Sequence, residues 1–250
     1  MNISTRWLRE WVNPDVSDLA LSEKLTMAGL EVDQIAPVAP PFEGLVVGHV
    51  VNCGKHPNAD KLSLCEVDIG GNENLQIICG APNVRKDLKV AVATVGSVLP
   101  NKLKIKRAKL RGVESNGMIC SESEMGISDS HEGIIELEAN AKIGDNVRTA
   151  LDLDDQIIEF DITPNRGDCF SALGVAREVC VNYDLDLPEL NFKAEQKGNK
   201  SFKSKVSNPK ECPRYLTRVI EGVDNNATTP EWMAKKLLRS SQQLHSPIVD

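Results

Sequence analysis

Five short segments, rich in Val, Ile and Leu and bounded by Gly, Pro, Asn or Asp, follow one another in the middle of the chain. They are LVVGHVVNC (45–53), LSLCEVDIG (62–70), LQIICG (75–80), KVAVATVG (89–96) and GMICS (117–121). Runs of this composition between turn residues predict β-strands, and their spacing predicts a small closed or partly open all-β barrel. The polar loops between the strands are where function is expected.

The flanking segments have helical patterns. Ser4 and Ser17 are predicted N-caps of two short helices, because a serine hydroxyl can accept an amide hydrogen bond from the first turn. Asp168 is the predicted N-cap of a later helix, whose apolar stripe runs from Phe170 to Tyr183. We expect this stripe to pack on the N-terminal helices.

Changes in these patterns divide the chain into domains. Prolines at positions 37, 40 and 41 indicate a boundary near residue 40, and a second boundary is expected near residue 150. We predict an α+β multidomain chain in which an all-β barrel, residues 41–150, is inserted in a small split α/β domain, residues 1–40 and 151–200. A further α/β domain is expected to begin over residues 205–250, with a strand at 215–223 and a helix opening at Pro230.

Composition narrows the class of protein. Seven cysteines are an odd number, and no two form a C-x-x-C pair, so we predict reduced, mostly buried thiols rather than a disulfide framework or zinc site. No apolar run is long enough to span a bilayer, and the N-terminus lacks an apolar signal segment. We therefore expect a cytoplasmic chain with no membrane partner.

Charge is distributed unevenly along the chain, whose net charge is −7. Residues 85–112 contain nine Lys or Arg against one acid, whereas residues 113–161 contain two bases against thirteen acids. The average therefore argues against a general nucleic-acid binder, but the basic stretch could neutralise several backbone phosphates.

The basic segment, residues 102–111, alternates cations with apolar residues. Its cations are Lys102, Lys104, Lys106, Arg107, Lys109 and Arg111. We predict a strand with a bulge near Lys106, which would keep all six on one curved edge while Leu103 and Ile105 enter the core. On charge alone, an edge strand guarded against aggregation explains the same pattern.

Other loop residues have two interpretations. His56, Asn58 and Lys61 suggest catalysis or metal binding, but no second histidine lies at ligand spacing and local turn chemistry explains the loop better. Asn83 and Asn116 could contact a sugar or phosphate, although local turn hydrogen bonds explain them nearly as well. Cys79 follows an apolar strand, which favours an inert thiol over a nucleophile.

No Phe, Tyr or Trp occurs between Glu43 and Ala150. Bases could not stack on an aromatic platform there, as they do in single-strand-binding barrels. A nucleic-acid binder of this kind is expected to recognise the shape and phosphates of a folded RNA rather than DNA.

The motifs HPNADKL, CGAPNV, VAVATVGSVLP and KLRGVESNGMICS, in this order, resemble the EMAP-II type of tRNA-binding OB-fold domain. The flanks WLREWVNP, LTMAGLEVD and FDITPNRGDCFSALGVARE resemble the beta subunits of bacterial phenylalanine-tRNA ligases. PRYLTRVIEGV through TPEWMAKKLL resembles the start of their B3/B4 editing domain. Gly167 is a mild departure, since Ala or Pro is expected there.

The resemblance implies a non-catalytic, tRNA-binding part of a cytoplasmic α2β2 enzyme that attaches phenylalanine to its tRNA with ATP and Mg²⁺. It implies an alpha-subunit partner, and no catalytic residue, metal or cofactor within these 250 residues. The implied tRNA-facing residues are His56, Asn58, Lys61, Asn83, Lys104, Lys106, Arg107, Lys109, Arg111 and Asn116. The alternatives are a stand-alone tRNA-binding module and a subunit-interaction module whose cations meet an acidic protein surface, neither with an enzymatic role.

Overall fold

A computed structural model describes residues 1–129, 133–189 and 198–250. The chain forms two compact units: one contains Met1–Val32 and Phe160–Asp250, and the other contains Asp33–Glu159. The predicted fold class, an all-β barrel inserted in an α/β domain, is confirmed. Residues 190–197, part of the stretch predicted to complete the split domain, lie outside the described residues.

Helices dominate the first unit and strands dominate the second. The helices are α1 (Thr5–Trp11), α2 (Asp18–Met27), α3 (Val147–Ala150), α4 (Ala172–Tyr183) and α5 (Glu231–Arg239), with a 3₁₀ helix at Pro164–Cys169. The strands are β1 (Asn2–Ser4), β2 (Glu31–Pro37), β3 (Glu43–His56), β4 (Ala59–Asp68), β5 (Leu75–Cys79), β6 (Lys89–Val98), β7 (Ala108–Leu110), β8 (Val113–Ser115), β9 (Gly117–Ile119), β10 (Glu136–Leu137) and β11 (Gln156–Asp161). β11 lies between β1 and β2 in a three-stranded sheet.

Six strands of the second unit form an antiparallel sheet that nearly closes into a barrel. The order is β10-β6-β3-β4-β5, and β9 also pairs with β6. The 14-residue β3 pairs with β6 through its first half and with β4 through its second half, and His49 takes part in both ladders. The Asn116 amide, between β8 and β9, donates to the Gln76 carbonyl of β5 at 2.8 Å. This hydrogen bond links β5, at one end of the sheet, to the segment that leads into β9.

Successive strand residues point to opposite faces of the sheet, and both faces carry buried residues: Val90 to Ala93 of β6 are all buried. The buried residues belong to two clusters within the second unit. One includes Phe42, Leu45, Leu99, Ile105 and Met125, and the other includes Val50, Val67, Ile77, Val92 and Ile119. Ile105 is thus buried as predicted, whereas Leu103 is 47% exposed.

Two of the three predicted N-caps in the first unit are confirmed. The Ser4 hydroxyl accepts from the Trp7 amide at 3.1 Å, and the Ser17 hydroxyl accepts from the Ala20 amide at 3.2 Å. The prediction of Asp168 as the cap of α4 is wrong, because residues 164–169 form the 3₁₀ helix and Ser171 caps α4 instead. α4 packs on α1 and α2, as predicted. The inclusion of Phe170 in its apolar stripe is wrong, because Phe170 precedes α4 and is 61% exposed.

The prediction of a strand over residues 215–223 is wrong. This stretch is irregular, and Leu216 and Ile220 are each 74% exposed. A β-branched run becomes a strand only where another strand pairs with it, and within the described residues none does so here. The helix predicted after it is present as α5. Among the described residues, no helix combines the length and apolar character needed to cross a membrane.

Candidate nucleic-acid interface

The C-terminal part of the basic segment enters a small β-hairpin, which we call the basic hairpin (residues 108–115). Its strands β7 and β8 pair Ala108 with Ser115 and Leu110 with Val113, so two residues form the turn. These are Arg111 and Gly112, with φ angles of 49° and 90°. Positive φ at both central positions is the type I′ geometry that fits the right-handed twist of paired strands. The turn therefore presents Arg111 at the tip of the hairpin.

The N-terminal part of the basic segment is not the continuous strand that its alternation predicts. It returns alongside the end of β6, where the Ile105 amide donates to the Ser97 carbonyl at 2.9 Å. Lys104 forms a single β-bridge with Val98, and Lys102 has a φ of 64° in the preceding turn. Burial of Ile105 thus fixes the middle of the segment and leaves its charged side chains in solvent.

All six cations of the basic segment are exposed. None of them forms an ion pair within 4 Å among the residues that the structure describes, although Lys109 lies opposite Glu114 in the hairpin register. Lys61 and Asn116, at other predicted positions, are exposed and half-buried respectively. Exposed cations with few fixed partners are available to an anionic ligand.

His56 is buried, with 5% exposure, and both of its ring nitrogens are used. Nδ1 accepts from the Asn58 amide at 3.0 Å, so Nε2 carries the proton of a neutral ring and donates to the Leu110 carbonyl at 3.2 Å. The Asn58 side-chain amide donates to the Arg111 carbonyl at 3.0 Å. The geometry therefore brings His56 and Asn58 to the basic hairpin, where they bind its backbone.

Gln76 and Ser115 complete the attachment of the hairpin, and sequence reasoning missed both. The Gln76 side chain donates to the Glu114 carbonyl at 2.7 Å. The Ser115 hydroxyl accepts from the Ile78 amide at 3.0 Å and donates to the Gly117 carbonyl at 3.1 Å. No local sequence signal marks their attachment role, because Glu114 lies 38 residues from Gln76 and Ile78 lies 37 residues from Ser115.

Asn83 lies apart from this arrangement. Its amide pairs with both backbone groups of Ile134, accepting at 3.0 Å and donating at 2.9 Å. Arg85 donates twice to Glu136, at 2.7 and 2.8 Å, and these hydrogen bonds lower the pKa of that carboxyl. Asn83 is thus engaged in holding the chain beside β10, and its predicted tRNA contact stays a prediction.

The thiols of Cys79 and Cys120 are unsuited to nucleophilic chemistry. All seven cysteines are free. Burial raises the pKa of the Cys79 thiol above its ordinary value, and raises that of Cys120 to about 12 with a contribution from Glu124. A thiol held protonated near neutral pH is a poor nucleophile, which supports the interpretation of Cys79 as an inert core residue.

One group of described residues outside the barrel has the composition of a metal site. The ligand atoms of Asp168, Cys169 and Glu178 lie within 4.8 Å of one another. The Arg166 guanidinium contacts Glu178 at 2.6 Å and the Cys169 sulfur at 3.0 Å. This cation supplies the positive charge that the acidic groups require, so the cluster is explained as an ion-pair network.

Comparison with known proteins identifies the class of the barrel. Residues 45–146 match the family model described as "Putative tRNA binding domain", and residues 211–250 match one described as "B3/4 domain". The barrel with its basic hairpin is therefore a domain of the tRNA-binding class.

The chain is also similar to curated relatives over its whole length. The chain is 55% identical to the phenylalanine–tRNA ligase beta subunit of Pectobacterium atrosepticum, 54% to that of Yersinia pestis and 52% to that of Coxiella burnetii. Each match covers 100% of this chain and 32% of the relative, so the chain spans about a third of the length of these proteins. Over its whole length the chain is similar to phenylalanine–tRNA ligase beta subunits, and the resemblance seen in the sequence is confirmed.

Proposed function

We propose that this chain is the non-catalytic, tRNA-binding part of a phenylalanine–tRNA ligase beta subunit, and that the basic segment is its main contact with tRNA. The observation that carries this proposal is the position of six exposed cations inside a domain that matches the tRNA-binding family. The predicted contacts Lys104, Lys106, Arg107, Lys109 and Arg111 all belong to this segment.

The chemistry of the segment favours phosphate recognition. Lysine and arginine side chains that replace condensed counterions on a nucleic acid give an affinity that falls steeply with salt. The whole barrel stretch from Glu43 to Ala150 lacks Phe, Tyr and Trp, so bases cannot stack on such rings there. The domain is therefore suited to the sugar-phosphate contour of a folded RNA, and Lys61 and Asn116 are proposed as secondary contacts.

The test is filter binding of the 250-residue chain to tRNA over a series of salt concentrations. Replacing Lys104, Lys106, Arg107, Lys109 and Arg111 with Gln is expected to abolish most binding and to reduce the slope of log K against log salt by about 3 to 5, if each cation meets one phosphate. A variant that binds and responds to salt like the wild type would exclude the basic segment as the contact.

The chain offers a matched control for this charge removal. Exposed residues of the first unit supply the same three lysines and two arginines: Lys203, Lys205, Lys210, Arg214 and Arg218. Their replacement with Gln changes net charge by the same amount. We expect this control to retain most of the affinity and the salt slope, because a local contact depends on where the charges lie.

For the whole protein, we propose a cytoplasmic α2β2 ligase that attaches phenylalanine to its tRNA and uses ATP and Mg²⁺ in doing so. The beta-subunit family supports an alpha-subunit partner. Sedimentation of the full-length beta subunit with and without the alpha subunit tests this assembly, and a beta subunit whose sedimentation the alpha subunit leaves unchanged would contradict it.

A further inference from the structure

Three uncharged side chains attach the basic hairpin to the barrel. Each donates to one backbone carbonyl of the hairpin: His56 to Leu110, Asn58 to Arg111 and Gln76 to Glu114. We propose that His56, Asn58 and Gln76 are positioning residues for tRNA binding, which hold the hairpin so that its cations meet the RNA phosphates together. This inference rests on the proposed function.

Apart from the Ser115 hydroxyl, which accepts from the Ile78 amide at the end of β8, the basic hairpin has little else to stabilise it. Its two strands have three residues each, and an isolated two-stranded hairpin is at best marginally stable in water. All three residues of β7 are exposed, so the hairpin buries little apolar surface. Its two cations, Lys109 and Arg111, also repel each other. The hydrogen bonds from the barrel therefore decide whether the hairpin is ordered before RNA arrives.

The three donating side chains belong to two separate parts of the barrel. His56 and Asn58 belong to the tight turn between β3 and β4, and they are joined by the hydrogen bond from the Asn58 amide to Nδ1 of His56. Gln76 belongs to β5 of the barrel, and its side chain binds β8, the second strand of the hairpin. Attachment at both sides of the Arg111-Gly112 turn restrains its position and its orientation.

Because the attaching side chains carry no charge, their loss is expected to affect the salt dependence of tRNA binding differently from the loss of a cation. A hairpin released from the barrel must be ordered at the moment of binding, and this cost lowers affinity without removing any phosphate contact. Affinity should therefore fall by a similar factor at every salt concentration. Loss of a cation instead reduces the slope of log K against log salt.

The first experiment compares variants of the 250-residue chain in tRNA filter binding. His56→Phe combined with Gln76→Met removes two donors and keeps side-chain volume, and we expect about tenfold weaker binding with an unchanged salt slope. His56→Gln, which retains a donor and an acceptor, is expected to recover most of the affinity lost in His56→Phe. Gln34→Met, the same chemical change at an exposed position of β2, is the control and should bind like the wild type.

The second experiment measures the hairpin without RNA. Trypsin cleaves after Lys and Arg, so the bonds following Lys109 and Arg111 report whether the hairpin leaves the barrel. We expect faster cleavage at these bonds in His56→Phe/Gln76→Met and in Asn58→Ala than in the wild type and Gln34→Met. Asn58 is exposed, so Asn58→Ala tests the inference even where the double variant fails to fold.

The two measurements separate the possible failures. Wild-type protein that does not bind tRNA refutes the proposed function, whereas the trypsin result still decides whether the attachment exists. Weaker binding without faster cleavage would mean that one of the replaced side chains contacts tRNA directly, and it would overturn the positioning role. Faster cleavage with wild-type affinity would overturn it as well, because hairpin order would then have no effect on binding.

Discussion

At the scale of single residues, the side-chain amide of Asn83 acts as a strand neighbour for Ile134. It satisfies both backbone groups of that residue, which a buried peptide unit requires. The preceding residue, Gly133, has a φ of 123°, and a Cβ atom there would lie 2.3 Å from Oδ1 of Asn83. The pairing therefore depends on a glycine at position 133 for two independent steric reasons.

Gly133→Ala is expected to destabilise the barrel by about 2–4 kcal/mol, because it strains the backbone and displaces Asn83 from its hydrogen bonds. Urea unfolding of the 250-residue chain gives this difference. Gly54→Ala is the matched control, since Gly54 lies in β3 with no atom within 4 Å of an added Cβ and no positive φ. Equal midpoints for the two variants would show that residue 133 has room to adjust.

At the scale of elements, Arg148 of α3 joins the segments that enter and leave the barrel. Its guanidinium donates to the Pro40 carbonyl at 2.9 Å, to the Leu153 carbonyl at 3.3 Å and to Asp154 at 2.7 Å. It also lies 5.0 Å from the centre of the Phe42 ring. A four-residue helix makes few contacts of its own, so this one side chain carries much of the connection.

Arg148→Met should therefore lower the free energy of unfolding by about 2–3 kcal/mol, because buried carbonyls lose a charged donor. The free energy of unfolding of Arg148→Lys should lie between those of Arg148→Met and the wild type, since an ammonium group cannot reproduce the fork of guanidinium donors. Arg177→Met, at an exposed position of α4, is the control in the same chemical-denaturation measurement. A loss no larger than that of the control would assign the connection to backbone packing alone.

The barrel strands and the caps at Ser4 and Ser17 could be predicted from the sequence, because strand-forming composition between turn residues and helix capping are local properties. The exposure of the basic segment followed from its charge in the same way. The partners of His56, Asn58 and Asn83 could not be predicted, since they lie 51 to 54 residues away. The error at residues 102–106 has a local cause: Lys102 has a φ of 64° in a turn, and Leu103 after it is exposed, which interrupts the predicted strand.

At the scale of the whole molecule, the net charge of the chain is negative, whereas the charge of the proposed tRNA contact is positive. The unit that contains the basic hairpin, residues 33–159, has 13 Lys or Arg against 19 Asp or Glu, and so carries most of the net negative charge. An acidic surface repels RNA at distances up to the Debye length, about 10 Å at 0.1 M salt. Binding is therefore expected only where the six exposed cations of the basic segment outweigh this repulsion.

The second unit has the features of a domain that folds alone. Both of its buried clusters consist of residues between positions 39 and 153. Its two ends are adjacent, because the Val38 amide donates to the Asp155 carbonyl at 3.0 Å. Adjacent termini and an internal core are the properties that allow a domain to be inserted in another, or removed from it, without strain.

A chain of residues 33–159 alone is thus expected to unfold cooperatively and to bind tRNA with the same salt slope as the 250-residue chain. The slope counts phosphates met by cations, and all six cations of the basic segment are within this range. Calorimetry and filter binding provide the two measurements. A folded fragment with a clearly smaller slope would place additional phosphate contacts in residues 1–32 or 160–250. A fragment without a cooperative transition would show that the barrel depends on its host domain for stability.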